Sequence, residues 1–154
     1  MNMLSISHAA TGAFIAAKIS NPYLAIPLII ATHYLQDAVP HWDVGTGLSK
    51  GTKTRTQAFI HEIPDLALAL VIVYLMYPAI FNIQYSLFHF SPLWGSFFGL
   101  LPDFLEAPRN FLGYEPRWLA GINRFHARFH HSIPRPLAGL APQLILLALL
   151  FFYR

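Results

Sequence analysis

The chain has 154 residues, of which 55% are hydrophobic and only 11% charged, against roughly 25% charged in an ordinary soluble domain. Ten basic and seven acidic side chains cannot cover the surface of a free soluble domain, so the composition points to a membrane and to one integral-membrane domain over residues 1–154. The absence of cysteine excludes disulfides, thiolate metal sites and cysteine nucleophiles, and a formal net charge of only +3 without an aromatic-laced basic groove argues against a nucleic-acid partner.

Five helices are predicted in chain order. A small-residue-rich stretch carrying Lys18 gives the first, over 5–19. Pro22 opens the second, over 22–39, through the run YLAIPLIIATHYL. Pro64 reads as the start of the third, over 63–82, whose LALALVIVYLMYPAIF carries no charge. An uncharged run from Leu87 gives the fourth, over 85–101, and Pro136 opens the fifth, over 137–153. Continuous apolar runs favour helix over strand. None reaches the roughly 20 unbroken apolar residues of a standard span, so the helices are expected to be short or tilted. Pro27, Pro78 and Pro142 fall inside apolar stretches, which membrane helices tolerate. The expected fold is all-α, a compact bundle of about five short transmembrane helices. Its short helices and scant charge leave room for a homo-oligomer.

Alternating these helices across a bilayer puts both polar connections, 40–62 and 102–136, on one side. Lys50, Lys53, Arg55, Arg109, Arg117, Arg124, Arg128 and Arg135 then share that side, with only Lys18 and Arg154 opposite. Such a bias makes the first side cytoplasmic and the cytoplasmic membrane the expected location.

The same topology gathers the histidines and acids. Of eight histidines and seven acidic residues, all but His89 and Glu115 fall on the basic side or within about two helical turns of it. His89 reads as an interfacial residue on the other side. Solvated faces use Lys and Glu, whereas imidazole with carboxylate suits divalent metal. The candidate ligands are His8, His33, Asp37, His41, Asp43, His61, Asp65, Asp103, His126 and His130. His33 and Asp37 are four apart on one helical face, as His126 and His130 are if that stretch is helical. His61 and Asp65 surround the start of the third helix, Asp103 lies just beyond the fourth, and His131 follows His130. So many ligands predict two or more ions, Zn first and Mn or Fe next. Glu62 and Glu106 are candidates for general base or for orienting water. Arg109, Arg124 and Arg128 are candidates for binding substrate phosphate. The expected activity is hydrolysis of a phosphoester or phosphodiester of a membrane lipid by metal-activated water.

SHAATG at the N-terminus, the His33/Asp37 pair, PHWD at 40–43 and HEIPD at 61–65 resemble the membrane-bound metal-dependent hydrolases, a family distantly similar to bacterial zinc phospholipase C. Their early His-x3-Gly is matched by His8 and Gly12. The resemblance implies a small multi-helix membrane protein holding metal through His/Asp pairs, with His33/Asp37 and His61/Asp65 standing for the two ligand pairs of the phospholipase. PHWD places His41 where the family has an aspartate, and LPDF keeps Asp103 but has Leu105 at the next acidic position. Two rival readings stand beside it. His126-x3-His130-His131 resembles a histidine box of membrane diiron desaturases and hydroxylases, and a metal-binding or transport protein without catalysis would use the same ligands.

Overall fold

The computed structural model describes residues 4–48, 51–81 and 89–154. Among the described residues the chain is all-helical, with six α-helices and no strand: α1 Ser5–Lys18, α2 Pro22–Ala38, α3 Arg55–Met76, α4 Pro92–Ala107, α5 Ala120–His126 and α6 Pro136–Tyr153. The expected bounds of α1, α2 and α6 hold to within a residue. Lys50, residue 82 and residues 85–88 of the expected elements lie outside the described residues.

Two boundaries differ, each for a local reason. Thr54 and Gln57 form a capping box that starts α3 eight residues before position 63. Pro64 therefore lies inside the helix rather than at its first turn. Tyr77 and the 3-10 turn at Pro78–Phe81 end α3 before 82. In α4, Pro92 occupies the first turn, which starts the helix later than 85 and carries it to Ala107. Asp103 and Glu106 accordingly project from the helix and not from the connection after it. A single π-turn, Pro108–Leu112, extends α4 until Gly113 stops it at φ +69°.

The bundle is organised around α1. Its sequence SISHAATGAFIAAK is buried nearly throughout, and it packs against α2, α3, α4 and α6. Small residues permit this: a Cβ at Gly12 would strike the Gly95 carbonyl, one at Gly95 the Gly12 carbonyl, and one at Gly99 the His8 carbonyl. Gly95-x3-Gly99 thus lets two backbones touch, a packing device common between membrane helices. Around this seam Ile6, Ala9 and Ala13 meet Ala69, Val73 and Leu100, while Ile15 and Ala16 meet Ala25 and Ile29. The main consequence for the site is that His8 is drawn down beside α2 and α4.

Among the described residues, only α3 and α6 are long and apolar enough to cross a membrane. Just 22% and 17% of their most apolar stretches are buried, so neither is the covered core helix of a soluble protein. At 1.5 Å per residue, the 14 residues of α1 reach about 21 Å, short of a hydrocarbon core of about 30 Å. Length and composition thus show two candidate spans among the described residues and do not show five. Leu68, Leu70, Val71 and Leu75 of α3 and Leu144, Ile145, Leu149 and Phe152 of α6 are all exposed, well beyond the scattered apolar surface of a soluble monomer.

Candidate metal centre

The i,i+4 spacing of His33 and Asp37 places both on the buried face of α2. Asp103 arrives from α4 and His126 from the end of α5. His33 Nε2 lies 3.3 Å from Asp37 Oδ2 and 3.3 Å from Asp103 Oδ1. His126 Nε2 lies 2.6 Å from Asp37 Oδ2 and 3.2 Å from His33 Nε2. One ligand atom from each of these four residues falls within 4.8 Å of all the others.

The hydrogen bonding says what this space wants. His33 Nδ1 stands 2.7 Å from the Gly99 carbonyl, and only an N–H can donate there. His33 Nε2 thus faces two carboxylate oxygens and a second imidazole, a donor set that a divalent ion could share. The Gly99 carbonyl acts as the outer partner that fixes a ligating histidine's tautomer. His8 adjoins the group, with Nε2 3.2 Å from Asp37 Oδ1 and its ring stacked on His33 at 3.9 Å. His8 is buried and its Nδ1 has no hydrogen-bond partner, which is costly for a buried polar atom.

A second group lies outside the helices. The segment after α2 is clamped to the segment before α6 by backbone bonds, His41 N–H to the His131 carbonyl at 3.1 Å and Ile133 N–H to the His41 carbonyl at 2.8 Å. This brings His41, Asp43 and His130 together. His41 Nε2 is 3.3 Å from His130 Nε2, and each is 3.8 Å from Asp43 Oδ2. His41 Nδ1 donates to the Val39 carbonyl at 2.7 Å, again turning the Nε2 lone pair inward. Burial pushes the Asp43 carboxyl up to about 7, lowers His41, and lowers His130 to about 2. All three are therefore driven toward their neutral forms, the response of ligands buried without a counter-charge. Both donor sets, imidazole and carboxylate without sulfur, fit a divalent ion.

The expected residues divide as follows. His33, Asp37, Asp103 and His126 form the first group, His41, Asp43 and His130 the second, and His8 borders the first through Asp37. His61 and Asp65 join neither. Ser5 N–H donates to Asp65 at 2.8 Å and Ser5 Oγ–H to Glu62 at 2.7 Å, so both acids satisfy the start of α1. His61 lies one turn before Asp65 in α3 and is exposed. Glu106 is buried against the far side of His126, 3.5 Å from Nδ1, and accepts from Arg109 at 2.7 Å and Asn110 at 3.2 Å. That placement suits orienting His126 rather than activating water. Arg124 and Arg128 are exposed; Arg109 instead lines a cleft with Lys53, Arg55 and His130. The histidine box is split: His126 and His130 serve different groups, and His131 is exposed.

Sequence reasoning missed Gln143. It is buried in α6, accepts from Leu4 N–H at 2.9 Å and donates to the Trp42 carbonyl at 2.8 Å. It thereby ties α6 and the start of α1 to the loop carrying His41 and Asp43. A glutamine inside the run PLAGLAPQLILLALLFFY was the available signal, since an amide at that depth needs partners.

Comparison of the chain with protein-family models, with curated proteins and with solved structures finds no match.

Proposed function

We propose that the chain is a metal-dependent hydrolase of the membrane, cleaving a phosphoester or phosphodiester of a lipid at the cytoplasmic face of the cytoplasmic membrane. The carrying observation is the pair of His/Asp groups whose ring nitrogens are turned inward by backbone carbonyls at Gly99 and Val39. Seven ligands in two groups support two ions, with zinc first on donor chemistry and Mn or Fe next. The resemblance carried by SHAATG and the His33/Asp37 pair points the same way. When bound, such ions supply a Lewis acid that activates water and offsets phosphoryl charge.

The chain's own residues supply the rest. His33, Asp37, Asp103 and His126 hold one ion, with Glu106 fixing the His126 ring. His41, Asp43 and His130 would hold the other, at the edge of the cleft where a substrate could reach it. Arg109, held by Glu106 and Glu115, lines the cleft beside His130 and would share its guanidinium with a phosphate there. The exposed apolar faces of α3 and α6 support residence in lipid, and the basic polar connections support the cytoplasmic side.

The test is turnover of p-nitrophenyl phosphate and bis(p-nitrophenyl) phosphate by purified protein, with and without chelator. The reading expects activity on one of them that chelation abolishes and zinc or manganese restores. Oxygen consumption that depends on iron and reductant, with no ester cleavage, would replace it with the oxidative reading.

A further inference from the structure

Two cavities meet beside the second metal group. One, about 560 Å³, is lined by Lys53, Arg55, Arg109 and His130. The other, about 200 Å³, is walled on its outer side by Phe59, Ile63, Leu66, Phe104 and Phe111 and at its inner end by Glu62 and Asp65, which hold Ser5, and by Asp43 and Asp103, one acid from each group. Gly45 and Asn110 line both, so they are two lobes of one groove, one basic and one apolar. A single face of α3 furnishes both lobes, because Arg55, Phe59, Ile63 and Leu66 recur at helical spacing. Phe59 and Ile63 of α3 and Phe104 of α4 are also among the exposed large apolar residues, which makes the apolar lobe continuous with the outer apolar surface of the bundle.

The basic lobe is built rather than incidental. The Lys53 ammonium donates to the Val44 carbonyl, next to Asp43. The Arg55 guanidinium packs against Gly113, where a Cβ would collide with it. Topology alone would require charge on these loops but not charge held at the rim of a His/Asp group.

We propose that this groove binds a lipid phosphate, with the phosphate held by Lys53, Arg55 and Arg109 beside His130 and the first part of the hydrocarbon chain in the apolar lobe. Entry is sideways, from the bilayer, between α3 and α4. The assignment rests on the proposed hydrolase reading for its purpose, but binding can be read without turnover. It replaces Arg124 and Arg128 with Lys53 and Arg55 as the phosphate-binding side chains.

The experiment is calorimetric titration of purified, zinc-loaded protein in detergent with three probes: dihexanoyl phosphatidate, inorganic phosphate and dihexanoylglycerol. Phosphatidate should bind at least about tenfold more tightly than either other probe, since each lobe adds its own share. The K53Q/R55Q double variant should lose at least about tenfold in phosphatidate affinity at unchanged zinc content. Ile63→Trp, at an exposed position on the apolar lobe, should weaken phosphatidate and leave inorganic phosphate unaffected. Equal affinity for phosphate and phosphatidate, equal affinity for dihexanoylglycerol and phosphatidate, or a double variant that binds as well as the parent would each overturn the groove. Hydrolysis of soluble phosphoesters without this binding pattern would remove the groove and keep the hydrolase. The pattern without any hydrolysis would do the reverse.

Discussion

The two His/Asp groups are built on different supports. The first stands on three helices, and its ligands are fixed by helical register and by the touching backbones of α1 and α4. The second stands on two extended segments joined by backbone hydrogen bonds and braced by Gln143 and Lys53. Four ligands converge in the first and three in the second. Rigid, fully ligated sites suit retention of an ion, whereas a three-ligand site at the edge of a cleft keeps a position open to exchange. On the proposed hydrolase reading, the helix-borne group would hold an ion firmly and the loop-borne group, beside the basic cleft, would meet substrate.

The sharpest break in that division comes from Asp37, which touches His8, His33 and His126 at once. Asp37→Ala, with the near-isosteric Asp37→Asn as a check on folding, should lose the helix-borne ion entirely and with it activity, read by elemental analysis and ester turnover. His130→Ala should remove only the second ion and leave the first at full occupancy; loss of both together would show that the groups are not separable. Replacing Gly95 by Val forces α1 and α4 apart, because even a Cβ there meets the Gly12 carbonyl. Overpacking of this kind costs about 1–3 kcal/mol or more, and a lowered thermal midpoint in the metal-free protein should report it. Gln143→Leu leaves the Leu4 amide and Trp42 carbonyl without their partner and should cost about 1–3 kcal/mol, read as lowered stability with weaker binding of the second ion. Glu106→Gln keeps shape but removes charge behind His126; metal affinity of the first group should fall about 10- to 100-fold, with the second group unchanged.

How far the sequence foretold this depends on whether the signal was local. His33/Asp37 could be read directly, since four-residue spacing on an apolar helix has one geometric meaning. His41, Asp43, His126 and His130 were recognisable as candidate ligands, but their division into two groups depends on a backbone clamp between residues 41 and 131–133, which no local pattern announces. HEIPD misled because Pro64 resembles a helix start, while the capping box at Thr54 begins α3 earlier and turns Asp65 toward the first turn of α1. Asp103 was found with the wrong support, the fourth helix running further than its apolar stretch suggested. Lys53 and Arg55 were visible only as topology charges, because their proximity to His130 depends on how α3 and the Gly113 turn meet. The five expected spans rested on apolar runs alone: α1, α2 and α4 are apolar but shorter than α3 and α6, and in α1 that apolar surface is buried against its neighbours.

Elemental analysis of the purified chain against Asp37→Asn and His130→Ala tests the central claim most directly. Two divalent ions per parent chain, falling to one in each variant, is the predicted result. A parent without bound metal, or variants that retain the full complement, would contradict the reading of these histidines and carboxylates as ligands.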